Sequence, residues 1–84
     1  FMGANFTTYV LYSEKYDKIY VGYTSDLESR LRSHNELATR GWTIRYRPWE
    51  VIYKEEFPTR SKAMKREKEL KSRRGRHFIR TKIL

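Results

Sequence analysis

The sequence predicts a small α/β domain of the α+β kind, in which strands and helices alternate along one short chain. Three observations carry that expectation. Residues 7–12 and 18–23 are dense in β-branched and aromatic side chains, as strands are, and residues 49–57 have the same character. Residues 26–35 and 60–73 carry apolar side chains at helical spacing behind residues that suit helix caps. With 84 residues there is room for a single modest core, so one domain spanning 1–84 is expected, with its body at about 7–75.

Each element has a local reason. Thr-Thr-Tyr-Val-Leu-Tyr at 7–12 reads as a first strand, the polar stretch from Ser13 to Asp17 suits a turn, and Lys-Ile-Tyr-Val-Gly-Tyr at 18–23 reads as a second strand. The two are expected as an antiparallel hairpin. Gly22 stands where a backbone has to approach something closely. Ser25-Asp26-Leu27-Glu28 has the form of a capping box and opens a helix over 26–35, with Leu27 and Leu31 four apart on its inner face. Residues 36–48 show no clean period and read as a loop with room for a short helical turn. Trp-Glu-Val-Ile-Tyr-Lys-Glu-Glu-Phe at 49–57 suggests a third strand. Pro58-Thr59-Arg60-Ser61 then caps a helix from about 60 to 73, with Gly75 at the C′ position, and Phe78-Ile79 and Ile83-Leu84 are expected to pack back on the sheet.

Composition narrows the chemistry. Aromatics make up 15% of the chain and supply large buried areas to a small core. Nineteen Lys and Arg against ten Asp and Glu, a net charge of +9, point to a polyanionic partner such as nucleic acid, although basic charge alone also suits an incidental surface. The absence of cysteine excludes disulfides, thiolate zinc sites and thiol nucleophiles. No run approaches the roughly 18 apolar residues needed to cross a bilayer, and the N-terminus lacks the layout of a signal peptide, so no membrane partner and a cytoplasmic location are expected. Phe1 ahead of Met2 reads as a cloning remnant, and residues 1 to about 5 are set aside.

The residue that stands out is Glu67. It shares a helix face with Ala63, Met64 and Leu70, the stripe that should turn inward. A carboxylate there needs a partner, either an inward salt bridge or a divalent metal acting on a polyanion. Arg30 and His34 lie four apart on the first helix and can address one object, or form a solvated basic face. Arg40, Arg45 and Arg47 alternate with Trp42, Tyr46 and Trp49, a pattern that suits phosphate pairing and base stacking or an aromatic cover over the core. Arg73, Arg74 and Arg76 form a further basic cluster that is either solvated or lengthens a phosphate-binding track. Hydrolysis of a phosphodiester needs a base or orienter for water, a cation beside the non-bridging oxygens, and charge neutralisation at the leaving oxygen. Tyr9, Tyr20, Arg30, His34 and Glu67 supply these groups if hairpin and helices converge.

These residues, in this order, resemble the GIY-YIG nucleases. Thr7-Thr8-Tyr9 and Tyr20-Val21-Gly22 look like the paired tripeptides that name the family. Arg30 falls ten residues after Tyr20, as the family's catalytic arginine does, and His34 stands where the family has His or Tyr. Glu67, four residues after Ala63, matches the metal-binding glutamate. The resemblance is strongest to the small stand-alone bacterial members, the YhbQ-like, UPF0213-type group, which share Tyr-Thr-Ser-Asp-Leu-Glu and Arg-Pro-Trp segments like those at 23–28 and 47–49. It implies a three-stranded antiparallel sheet flanked by helices and a divalent-metal-dependent DNA endonuclease, with DNA, including branched or damaged DNA, as partner and roles in repair or recombination.

Carried over, the family's pattern gives Tyr9 the attacking water, Tyr20 the scissile phosphate or a share of the base role, Arg30 the charge of the pentacovalent phosphate, and His34 proton transfer or phosphate binding. Glu67 would hold Mg²⁺ or Mn²⁺. Thr7 and Thr8 replace the usual glycine and isoleucine, and Ile79 stands where larger members place a supporting asparagine. Two other readings stay open: a non-catalytic basic module that binds nucleic acid through Arg40, Arg45, Arg47 and the 73–76 cluster, and a domain that docks a protein partner.

Overall fold

The computed structural model describes residues 5–84; residues 1–4, most of the stretch read as a cloning remnant, lie outside the described residues. Three strands form an antiparallel sheet in the order β2-β1-β3, with β1 (Phe6–Ser13) between β2 (Lys18–Thr24) and β3 (Glu50–Phe57). This is the sheet that the resemblance implied. The run Thr8–Leu11 in β1 is buried throughout, so it lacks the in-out alternation of a strand with one wet face. Val10 packs with Val21, Leu70 and Ile79 on one side. Tyr9 and Leu11 pack with Trp49 on the other. Tyr53 pairs with Val10 and Val51 with Leu11, which leaves Ile52 as the extra residue of a bulge in β3.

The hairpin forms as expected, with the turn closed by Asp17 at φ 53°, a left-handed conformation that aspartate tolerates. Tyr12 donates its hydroxyl to Asp17 at 2.8 Å, and Arg80 near the C-terminus donates to the same carboxylate at 2.5 Å. The hairpin turn is thereby tied to the C-terminal turn.

The first helix begins one residue later than the capping box predicts. The Thr24 hydroxyl accepts the Asp26 amide at 3.1 Å, and the extended backbone of Asp26 makes it, rather than Ser25, the cap of α1 (Leu27–Arg32). The Asp26 carboxylate accepts from the Ser29 amide at 3.1 Å. A π-helical turn, Ser33–Leu37, carries the helix two residues past its expected end. The short helical turn expected within 36–48 is a 3₁₀ turn, Trp42–Tyr46.

The second long helix, α2 (Arg60–Lys71), is capped by Thr59, which accepts from the Lys62 amide at 3.3 Å. It stops before the expected 73. Ser72 donates its hydroxyl to the Glu69 carbonyl at 2.5 Å and accepts the Gly75 amide at 3.1 Å, ending one helix while capping α3 (Arg73–Phe78). Gly75 is therefore not a left-handed C′ residue. It lies buried inside α3, where a Cβ would collide with the Glu69 carbonyl oxygen and the Leu70 backbone, so its missing side chain lets α3 fold tightly against α2. A last π-type turn, Ile79–Ile83, follows. Ile79 is buried in the core and Phe78 and Ile83 pack against it, as expected, whereas Leu84 is exposed. Among the described residues no helix is long and apolar enough to cross a membrane.

Candidate active site

Along the β2 edge lies an open cleft of about 500 Å³. Its walls include Tyr9 from β1, Tyr20 and Gly22 from β2, Arg30 from α1 and Glu67 from α2, so residues from four separate elements meet there. The pairing register sets Tyr9 opposite Gly22 and Leu11 opposite Tyr20, which brings both tyrosines to one face with ring centroids 6.3 Å apart. A Cβ on Gly22 would stand 2.7 Å from the Tyr9 hydroxyl and 3.2 Å from the Tyr20 ring. The close approach foreseen at Gly22 is thus made by the protein's own Tyr9.

His34 does not line the cleft. It is buried behind the tyrosines, with its Nε2 3.2 Å from the Tyr9 hydroxyl, its ring 4.7 Å from that of Tyr20, and its Nδ1 3.1 Å from the Thr43 hydroxyl. Burial holds the imidazole below its usual pKa, and the Arg30 and Arg47 guanidiniums lower it further, so His34 is neutral at pH 7. Of its two tautomers, the one with Nδ1–H donating to Thr43 leaves Nε2 to accept the Tyr9 proton. Burial raises the Tyr9 pKa well above the usual phenol range; Tyr20 and Glu67 add to the rise, and Arg30 opposes it. Tyr9 is therefore a neutral hydroxyl.

Glu67 points inward, as its stripe predicts, with its side chain 18% exposed. Of the two companions the sequence left open, the salt bridge is the one seen. Lys71, one turn on, pairs with it at 3.2 Å, while the carboxylate also lines the cleft. Among the described residues no group of three or more His, Cys, Asp or Glu could hold a metal ion. The donor set therefore suits an ion such as Mg²⁺, which retains waters and takes one or two carboxylates plus substrate phosphate, and does not suit a zinc cage.

The remaining candidates are dispersed. The Arg47 guanidinium is engaged by main-chain carbonyls, donating to those of His34 at 2.6 Å, Ala38 at 2.8 Å and Ser33 at 3.3 Å, and so closes the π-helical turn. Trp49 and Tyr46 join the core cluster around Tyr9, as an aromatic cover would, whereas Trp42 is exposed. Arg40 and Arg45 are exposed on the loop. Arg73 and Arg74 border a separate cleft, away from Arg76. Ile79, at the position of the asparagine in larger nucleases, is fully buried among apolar residues.

Sequence reasoning missed Arg60, Tyr23, Thr43 and Lys71. Arg60 and Tyr23 line the cleft, with Arg60 Nε donating to the Tyr23 hydroxyl at 3.3 Å. Lys71 was legible as the i+4 partner of Glu67. Nothing local marks Thr43.

A central sheet with two tyrosines, an arginine and a lone inward glutamate around one cleft defines a class of domain, and comparison with known families agrees. The model of the GIY-YIG catalytic domain matches residues 5–81, and the chain belongs to that family. Within it, the chain is similar to proteins described only as UPF0213. It is 41% identical over 54 residues to one from Staphylococcus saprophyticus, covering 64% of this chain and 66% of that one. To one from Haloquadratum walsbyi it is 42% identical over 56 residues, covering 67% and 63%. The alignments thus span about two thirds of the relatives' length. The solution NMR structure of a UPF0213 protein from Bacillus halodurans superimposes with a TM-score of 0.55 at 29% identity, covering 94% of this chain and 86% of that one. The family is associated with nucleases, and its nuclease domains generally bind DNA.

Proposed function

We propose that this protein is a divalent-metal-dependent DNA endonuclease that hydrolyses a phosphodiester in the cleft between Tyr9, Arg30 and Glu67. The observation that carries the reading is Tyr9, which lines a cleft together with a cation and a carboxylate and whose hydroxyl lies 3.2 Å from the neutral histidine buried behind it. A bound phosphodiester sets its non-bridging oxygens against Arg30, with Arg60 as a second cation in the same wall. Tyr9, protonated and buried, orients the attacking water; as the water proton passes to its oxygen, its own proton moves to His34 Nε2, which Thr43 holds in place. The water oxygen bonds to phosphorus as the ester bond breaks, and the leaving alkoxide takes a proton from solvent. Tyr20 flanks the phosphate. A divalent ion on Glu67, completed by water and phosphate oxygens, would neutralise charge at the leaving oxygen.

One observation favours a non-catalytic basic module, namely that Lys71 already neutralises Glu67. An i,i+4 pair with a half-exposed lysine is worth only about 0.3–0.5 kcal/mol, so it yields readily to a divalent cation. The test is cleavage of a labelled panel of branched and linear DNA with Mg²⁺ or Mn²⁺ at low salt. Cutting by wild type that Glu67→Gln, Arg30→Ala and chelator each abolish, with DNA binding retained in Glu67→Gln, supports the nuclease. Binding without cutting on every substrate supports the module instead.

A further inference from the structure

A second cleft, of about 600 Å³, adjoins the first and has no part in the chemistry above. Its walls carry four cations, Lys18, Lys71, Arg76 and Arg80, against one carboxylate, Asp17, together with Trp42. Two features join it to the candidate active site. Tyr20 lines both clefts, and Lys71 in its wall pairs at 3.2 Å with Glu67 in the wall of the other.

Trp42 gives this cleft its character. The indole is 46% exposed, an uncommon state for so large an apolar group. It is nevertheless held from behind, with the Tyr46 ring 4.7 Å and the Trp49 ring 5.7 Å away. Trp49 in turn is buried and donates Nε1–H to the Thr43 carbonyl at 2.8 Å. A fixed aromatic platform with an uncovered outer surface suits the face of a nucleobase. The charges agree. Asp17 is taken by Arg80, whereas Lys18 and Arg76 have no ion-pair partner among the described residues. Paired DNA displays base faces only at its ends, so a stacking platform beside unpaired cations is matched by a strand whose bases are free.

We propose that the second cleft binds an unpaired segment of the DNA strand flanking the scissile phosphate, with a base stacked on Trp42 and phosphates paired by Lys18 and Arg76. The proposal rests on the nuclease reading for its place next to a cut, and it narrows the substrate class to forked, frayed or single-stranded DNA. Lys71 stands at the junction, where a cation on Glu67 would release its ammonium to the strand.

The test is binding of a short labelled oligo-dT strand, and of a blunt hairpin duplex of equal length, to the intact protein in chelator at low salt, read by anisotropy and by tryptophan quenching. Oligo-dT should quench wild-type tryptophan fluorescence. Trp42→Ala should weaken strand binding about tenfold, with Trp42→Phe largely restoring it, while duplex binding changes little. Arg76→Ala should lower the salt slope for the strand by about one. The proposal is overturned if Trp42→Ala and Arg76→Ala bind oligo-dT like wild type, if strand and duplex weaken equally, or if only a polyglutamate peptide responds to these variants. The two readings fail separately. Strand binding that depends on Trp42 without cutting of any DNA removes the nuclease and keeps this site, whereas cutting with strand binding indifferent to Trp42 does the reverse.

Discussion

Replacing Gly22 with alanine tests whether the close packing of β2 against Tyr9 sets the geometry of the cleft. The new Cβ would lie 2.7 Å from the Tyr9 hydroxyl oxygen and 2.9 Å from Cζ. Ordinary carbon contacts begin at about 3.5 Å, so the ring has to retreat by about 0.6 Å or more. Tyr9 is 1% exposed and backed by Leu11 and Trp49, so no free rotation relieves it. Overpacking of this kind costs about 1–3 kcal/mol, and the loss of unfolded-state freedom on going from glycine to alanine returns only about 0.4–1 kcal/mol. A net loss of about 1–2 kcal/mol lowers the urea midpoint by about 1 M. The same shift strains a Tyr9–His34 contact that is already 3.2 Å long, and a displacement near 1 Å in a reacting group costs about a hundredfold in rate. Urea unfolding and single-turnover cleavage read the two effects. Tyr9→Phe in the Gly22→Ala background removes the atom nearest the new methyl and should recover part of the stability but none of the activity. An unchanged midpoint in Gly22→Ala, or no recovery in the double variant, would refute the reasoning.

Three other outcomes follow from the same geometry. Arg47→Ala leaves the carbonyls of Ser33, His34 and Ala38 without their shared donor and should cost about 2 kcal/mol, a fall in Tm of about 10 °C, with the salt slope of DNA binding unchanged, as calorimetry and a salt titration would show. Gly75→Ala drives a methyl into backbone rather than a side chain, so α3 has to leave α2; thermal unfolding should reveal a loss of about 3 kcal/mol, larger than for Gly22→Ala. His34 has a folded pKa below its ordinary value of about 6.5, so the unfolded chain takes up the proton first as pH falls. Its stabilising contribution is complete above about pH 6.5 and lost below it, toward the lower folded value; urea midpoints measured across that window should decline in wild type and flatten in His34→Gln.

The sheet and the inward turn of Glu67 were legible because side-chain type and period encode them locally. Where expectation and structure part, the deciding contacts are tertiary. Ser25 has a capping-box sequence, but the Thr24 hydroxyl holds the Asp26 amide and moves the cap by one residue. Gly75 has the look of a helix stop, yet its function is to admit the Glu69 and Leu70 backbone, which no local pattern announces. Arg47 and Trp42 both belonged to an arginine-aromatic alternation, and only the fold sends one to main-chain carbonyls and leaves the other exposed. The candidate site divides the same way. Tyr9, Tyr20, Arg30 and Glu67 could be picked out by order and spacing, whereas Thr43 reaches His34 through a loop whose path the sequence does not state.

The cleft is assembled from parts of unequal firmness. Tyr9 rides on the central strand, hydrogen-bonded on both sides and buried along its length, so its amide should exchange with solvent only when the whole domain opens. Arg30 rides on a six-residue stretch of α-helix held to the core only by the part-buried Leu27 and Leu31, a segment that opens locally at less cost in free energy than the central strand. Gentle heating or dilute denaturant would accordingly disarm the site by detaching its arginine while the sheet and the tyrosine stayed intact, and a bound phosphate, by gripping Arg30, would stiffen that helix first.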